Sequence, residues 1–159
     1  MQRKIKKLNF KVEKGGFMCP QPGEFIKQSI TIKNNGQIWF NAWRNLTGEE
    51  IEKGFNQNGG IFVERVKITE QKNIGKENAL RILERAEEVL PKHIDTNFMV
   101  LVCDACPDEV VIEYEDGDIV MGQLANLTYD VEEFYEFLVE ETCIKNLFFF
   151  DERIFDEDD

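Results

Sequence analysis

The chain has 159 residues, 42% of them hydrophobic and 13 of them phenylalanine, which is enough for one domain with its own core and too apolar for a disordered chain. No apolar run reaches the roughly 18–20 residues that would span a bilayer, so no membrane insertion is expected. The formal charge of −12 argues against direct nucleic-acid binding, which needs clustered lysine and arginine to neutralise phosphate.

That charge is segregated along the chain. Residues 101–159 carry 19 acids against two bases, Lys145 and Arg153, a balance of −17. Residues 1–100 carry 17 bases against 12 acids, a balance of +5, and the two parts sum to −12. Segregation of this size speaks to partners and surface potential, not to chemistry.

The basic start (Arg3, Lys4, Lys6, Lys7) leads into charged alternation, with no apolar stretch like that of a signal peptide. Leu8, Phe10 and Val12 recur at the period of a half-buried strand over 5–13, and the lysines around them suggest an edge strand protected against mispairing. After a Pro/Gly loop, Phe25 to Lys33 alternates again. Asn34-Asn35-Gly36 then reads as a hairpin turn, and Gln37 to Trp43 as the returning strand. Residues 44–60 lack clear periodicity, and Ile61 to Thr69 reads as a fourth strand with a bulge near Arg65.

Residues 76–90 form an amphipathic helix. Ala79, Ile82, Leu83, Ala86, Val89 and Leu90 make its apolar stripe, and Pro91 ends it. Phe98 to Val102 is a short buried-type strand. Val110 to Tyr114 and Ile119 to Leu124 form a hairpin through Glu115-Asp116-Gly117-Asp118. Asp130 with Glu133 resembles a capping box opening a helix to about Asn146, burying Val131, Phe134, Tyr135, Leu138 and Thr142. Leu147-Phe148-Phe149-Phe150 must be buried against the core or a partner. The order ββββ-α-βββ-α gives an α+β fold with a mostly antiparallel sheet of about seven strands and two helices. Residues 1–150 make one domain, and 151–159 an acidic tail.

Few residues offer chemistry. Ser29 is the only serine and sits mid-strand, not on a strand-to-helix elbow, which excludes a serine hydrolase. His93 is the only histidine and follows a helix end, where it is expected to meet the helix carbonyls. No phosphate loop, dinucleotide fingerprint or calcium loop is present. Cys103-Asp-Ala-Cys106 has the spacing to grip one Zn²⁺, but no second pair matches it, and Cys19, Cys143 and His93 are all distant. A redox role for this pair would need a helix after it, whereas a strand is predicted there. The simplest reading is two buried thiols beside a turn. Four cysteines at irregular spacing make no disulfide framework, so a reduced, cytoplasmic protein is expected.

Trp39 and Trp43 fall on one face of the third strand, with Ile38, Phe40 and Ala42 on the other. Two apolar faces predict a central strand covered on both sides. An open tryptophan face would instead bind a peptide, a sugar or a partner.

The acidity has its own pattern. The first helix alternates its charges: Glu77 precedes Arg81, and Arg85 precedes Glu88. The last helix stacks Glu132, Glu136 and Glu140 with no base between them, at about 0.2–0.5 kcal/mol per like-charge step. With Glu113, Glu115, Asp116 and Asp118 of the hairpin, these are expected to form one negative surface for a basic protein partner. A nuclease or other nucleic-acid-binding protein fits, its cationic groove taking the acids in place of phosphate, as anti-restriction, anti-CRISPR and immunity proteins do. The reading is therefore a non-enzymatic acidic protein-binding module, with an inhibitor as one form of it. The alternatives are a zinc-stabilised domain built on Cys103 and Cys106, and a small enzyme of unidentified chemistry.

Overall fold

The computed structural model describes residues 3–13, 23–57, 65–96, 108–124, 128–144 and Leu147. Alternation of apolar and polar residues forms β1 (Ile5–Glu13), β2 (Phe25–Lys33) and β3 (Gln37–Asn45). They are followed by α1 (Gly48–Gln57), β4 (Arg65–Asn73), α2 (Lys76–Val89), β5 (Asp108–Tyr114), β6 (Ile119–Leu124) and α3 (Tyr129–Thr142). The described residues thus form an α+β fold with three helices and a six-stranded sheet of order β4-β3-β2-β1-β5-β6. Every neighbouring pair of strands is antiparallel. The strand expected at 98–102, Phe148–Phe150 and the acidic tail lie outside the described residues. No helix among the described residues is long and apolar enough to cross a membrane.

Register sorts the side chains. Leu8 stands between Ile32 and Ile112, and Phe10 between Ile30 and Val110, so one face of the sheet is continuously apolar. Onto that face pack Ala79, Ile82, Leu83 and Ala86 of α2 and Val131, Phe134 and Leu138 of α3, all buried. Phe10 meets the Tyr135 ring edge-on at 5.8 Å and the Phe134 ring at 6.0 Å, tying β1 to α3. Both α2 and α3 lie in this one layer.

Four expectations need correction. β1 is a central strand, not an edge. Its lysines suggested an edge, but Leu8 and Phe10 have apolar partners on both neighbours, and Lys7 and Lys11 alternate to the opposite face. β4 runs on to Asn73, four residues past its expected end, and pairs without interruption from Gln37–Asn73 to Asn45–Arg65; the expected residues 61–64 lie outside the described residues. It is an edge strand and therefore largely polar, so alternation did not reveal its last four residues. α1 was not anticipated at all. α3 ends at Thr142, where Cys143 takes the left-handed conformation (φ 54°), short of Asn146. Leu147 packs against the core as expected.

Two glycines are dictated by geometry. Gly36 closes the β2–β3 turn at φ 98°, and a Cβ there would lie 2.7 Å from the Gly75 carbonyl carbon. Gly122 on β6 faces Asp95, which forms an isolated antiparallel bridge with Gln123 along that edge.

Candidate functional site

The hairpin acids meet the basic amino-terminal strand. Because β1 lies beside β5, Arg3 reaches Asp116 at 3.2 Å and Asp118 at 2.7 Å. The Arg3 guanidinium also stacks 3.7 Å over the Tyr114 ring. Lys6 and Lys7 both approach Glu113 at 3.8 Å, and Asn34 donates to Glu115. The Asp118 backbone N–H, and then Arg3, hold the Asp116 carboxyl below its ordinary range. All four hairpin acids therefore have partners within the chain. Tyr114 in turn donates its hydroxyl to Glu87 of α2 at 2.6 Å. Burial, and then that carboxylate, push the phenol well above its usual range.

The helix acids are arranged differently. Tyr129, Glu133, Glu136 and Glu140 fall on one side of α3 by helical spacing, and all four are exposed, Tyr129 at 72%. Among the described residues no base pairs with Glu133, Glu136 or Glu140. Their neighbours Asp130 and Glu141 are matched, by Lys92 at 3.1 Å and Arg81 at 3.3 Å respectively. Glu132, half-buried, lies toward the side of this stripe and has a partner of its own. The structure thus places the seven expected acids on two elements, and engages the hairpin set internally.

Asp130 does not act as the expected helix cap. Thr128 holds the cap position in an extended conformation, and α3 begins at Tyr129. The Asp130 carboxylate instead accepts from the Thr128 hydroxyl, from His93 Nε2 at 2.9 Å and from Lys92, and these contacts, in that order, hold it far below the carboxylate range. The His93 side chain therefore joins the end of α2 to the start of α3, while only its backbone N–H meets the helix carbonyls, at Leu90.

The other face of the sheet carries no part of the α2–α3 layer. Trp39 is 46% exposed there, and Trp43 is half-buried between two lysines. Lys27 lies 5.0 Å and Lys67 5.5 Å from the Trp43 ring, each directly across from it on a neighbouring strand. Lys33 lies 5.2 Å from the Trp39 ring. Trp39 thus departs from the expectation that β3 is covered on both sides, and among the described residues the second apolar face is lined by ammonium–indole contacts and not by a helix.

Ser29 receives a hydrogen bond from Asn9 on the open face, consistent with a structural role. No three metal-ligating side chains converge among the described residues. Cys19, Cys103 and Cys106 lie outside them, and Cys143 is exposed at the end of α3. Comparison with protein-family models, curated proteins and solved structures finds no match for the chain.

Sequence reasoning missed Tyr129 and the lysine surround of the tryptophans. The first was hidden because Asp130 looked like the cap, which would have left Tyr129 outside the helix. The second was within reach: Lys27 and Lys33 share the parity of Ser29 and Thr31 on β2, opposite the tryptophan parity of β3.

Proposed function

We propose that the protein is a non-enzymatic protein-binding module that docks a basic protein through the outward side of α3. The supporting observation is selective compensation. Arg3, Lys6, Lys7 and Asn34 engage the hairpin acids, and Lys92 and Arg81 engage Asp130 and Glu141, while Glu133, Glu136 and Glu140 meet no base among the described residues. Each like-charge step along such a helix costs about 0.2–0.5 kcal/mol, which a single lysine would relieve. A cationic partner would relieve it in the complex and gain on-rate from the field. Tyr129, exposed on the same side, supplies an amphipathic anchor of the kind that carries interface energy.

The partner class that fits is a protein with a cationic groove, such as a nuclease or another nucleic-acid-binding protein, in which carboxylates take the place of phosphates. Affinity capture from the source cell, at low and at raised salt, tests the reading. Capture of a basic protein should weaken steeply with salt and disappear in the Glu136→Lys, Glu140→Lys double variant, with thermal unfolding retained. Salt-insensitive capture, or capture unchanged in that variant, overturns the proposal.

A further inference from the structure

We propose that the open face of β1–β4 binds single-stranded nucleic acid, with Trp39 and Trp43 as stacking platforms and the surrounding lysines as phosphate contacts. This surface is separate from the acidic side of α3. The tryptophans sit four residues apart on one strand, which places them about 13 Å from each other along it. A strand-borne pair of aromatics, one exposed and one half-buried, is a geometry on which unpaired bases stack whatever their sequence.

Charge complementarity supports this occupant. Lys11, Lys27, Lys33 and Lys67 point to this face, and none forms an ion pair with a carboxylate among the described residues. On this face β1–β4 place one acid among the described residues, Glu13 across from Lys27, and the adjoining β5 places Glu109 and Glu113 across from Lys11 and Lys7, so the basic part of the face is the β2–β4 side. Three of the ammonium groups already stand 5.0–5.5 Å from the indoles. A base stacking on a ring displaces its ammonium toward the adjoining phosphate, so both groups stay satisfied in the complex. Asn41 between the rings, and Thr69, Ser29, Thr31 and Asn9 on the other strands of this face, supply amides and hydroxyls that can meet base edges. Asn9 Nδ2 contacts the Thr31 and Ser29 hydroxyls at 2.7 and 3.3 Å, and Asn41 accepts from Thr69 at 2.9 Å.

An acidic peptide would use the lysines but leave the indole faces without a π partner. A duplex keeps its bases stacked inside itself and cannot use the rings. The net charge of −12, which argues against nucleic-acid binding for the chain as a whole, is unevenly placed about the fold. The α3 glutamates lie in the helix layer across the sheet, and exposed charges are screened over about 8 Å at physiological ionic strength.

Trp39 and Trp43 are the only tryptophans in the chain, so intrinsic emission reports this face alone. Titration of the full chain at low salt with short oligouridylate and oligothymidylate should quench that emission saturably, and a preference between the two identifies the favoured sugar. Trp39→Ala should weaken binding about fivefold or more, while Trp39→Phe should retain most of it. Lys33→Ala should reduce the slope of log affinity against log salt by about 0.7. Circular dichroism of each variant verifies the fold. Four results would each overturn the inference: no quenching by either strand, unchanged affinity in Trp39→Ala, equal competition by oligoglutamate, or duplex bound as tightly as single strand.

Discussion

The hydroxyl of Tyr135 on α3 donates to the carboxylate of Asp108 at the start of β5, and both side chains are buried. This hydrogen bond fastens the helix layer to the sheet through a polar link inside an apolar core, where an unmet carboxylate is costly. Burial first, and then the Asp108 charge, push the Tyr135 phenol well above its usual range. Tyr135→Phe should therefore destabilise the fold by about 1–3 kcal/mol in urea unfolding at neutral pH, mostly by withdrawing a donor from a buried acceptor.

The same pair gives the fold an alkaline limit. A phenol whose folded pKa is raised contributes stability that is fully present below the unfolded value, near 10. That contribution is lost as pH rises from there toward the folded value. Tyr114, raised by burial and Glu87, acts in the same direction. Stability measured by urea unfolding should be flat up to pH about 10 and then fall. Tyr135→Phe should make the fall shallower, and an unchanged slope would show that other groups set it.

Gly122 marks a contact between backbones. A Cβ at this position would collide with the Asp95 carbonyl and the Ile94 side chain. Neither the carbonyl nor the Asp95–Gln123 bridge can move without breaking the two backbone hydrogen bonds between those residues. Gly122→Ala should cost about 1–3 kcal/mol, as other overpacking substitutions do. Amide exchange at Asp95 and Gln123 should accelerate first.

Thr47 and Glu50 cap α1 reciprocally. The Glu50 backbone N–H donates to the Thr47 hydroxyl, and the Thr47 N–H donates to the Glu50 carboxylate, both at 3.1 Å. Thr47→Ala should cost about 0.5–2 kcal/mol. Glu50 also receives Arg44 at 2.6 Å, and Arg44 first, then the Thr47 N–H, lower its carboxyl to about 2. A depressed carboxyl contributes stability that is present above the unfolded value and lost as pH falls through the folded one. Exchange protection in α1 should therefore decline between pH about 4.5 and 2. Glu50→Gln should already show reduced protection at neutral pH.

How far the chain could be read depended on which signal each element used. β1, β2 and β6 were legible to the residue, because alternation bounded by Gly-rich turns has few competing explanations. α1 was not, since Ile51 and Phe55, four apart on one face, are the only apolar residues in its ten and too few to mark a period. Its signal was Thr47-Gly-Glu-Glu50, a capping sequence without the apolar run that would draw notice. The hairpin acids were found, but their pairing with Arg3, Lys6 and Lys7 depends on β1 lying beside β5. No local pattern encodes that adjacency. The exposure of Trp39 was hidden for a related reason: which side of a sheet the helices cover is decided by packing, and α2 and α3 share the other side.

Glu136 separates stability from binding. It lies four residues from both Glu132 and Glu140, so a lysine there replaces two like-charge steps with two favourable ones. Each such pair is worth about 0.2–0.5 kcal/mol, so Glu136→Lys should leave the fold as stable as the parent or slightly more so. If the outward side of α3 receives a basic partner, the same substitution puts a cation against a cation and should weaken capture strongly at low salt. Glu136→Gln, which removes the charge without reversing it, should fall between the two. A change that raises the unfolding midpoint while lowering affinity is what a helix side kept acidic for a partner should show. If capture persists in Glu136→Lys, the acids on α3 serve only to solvate the helix.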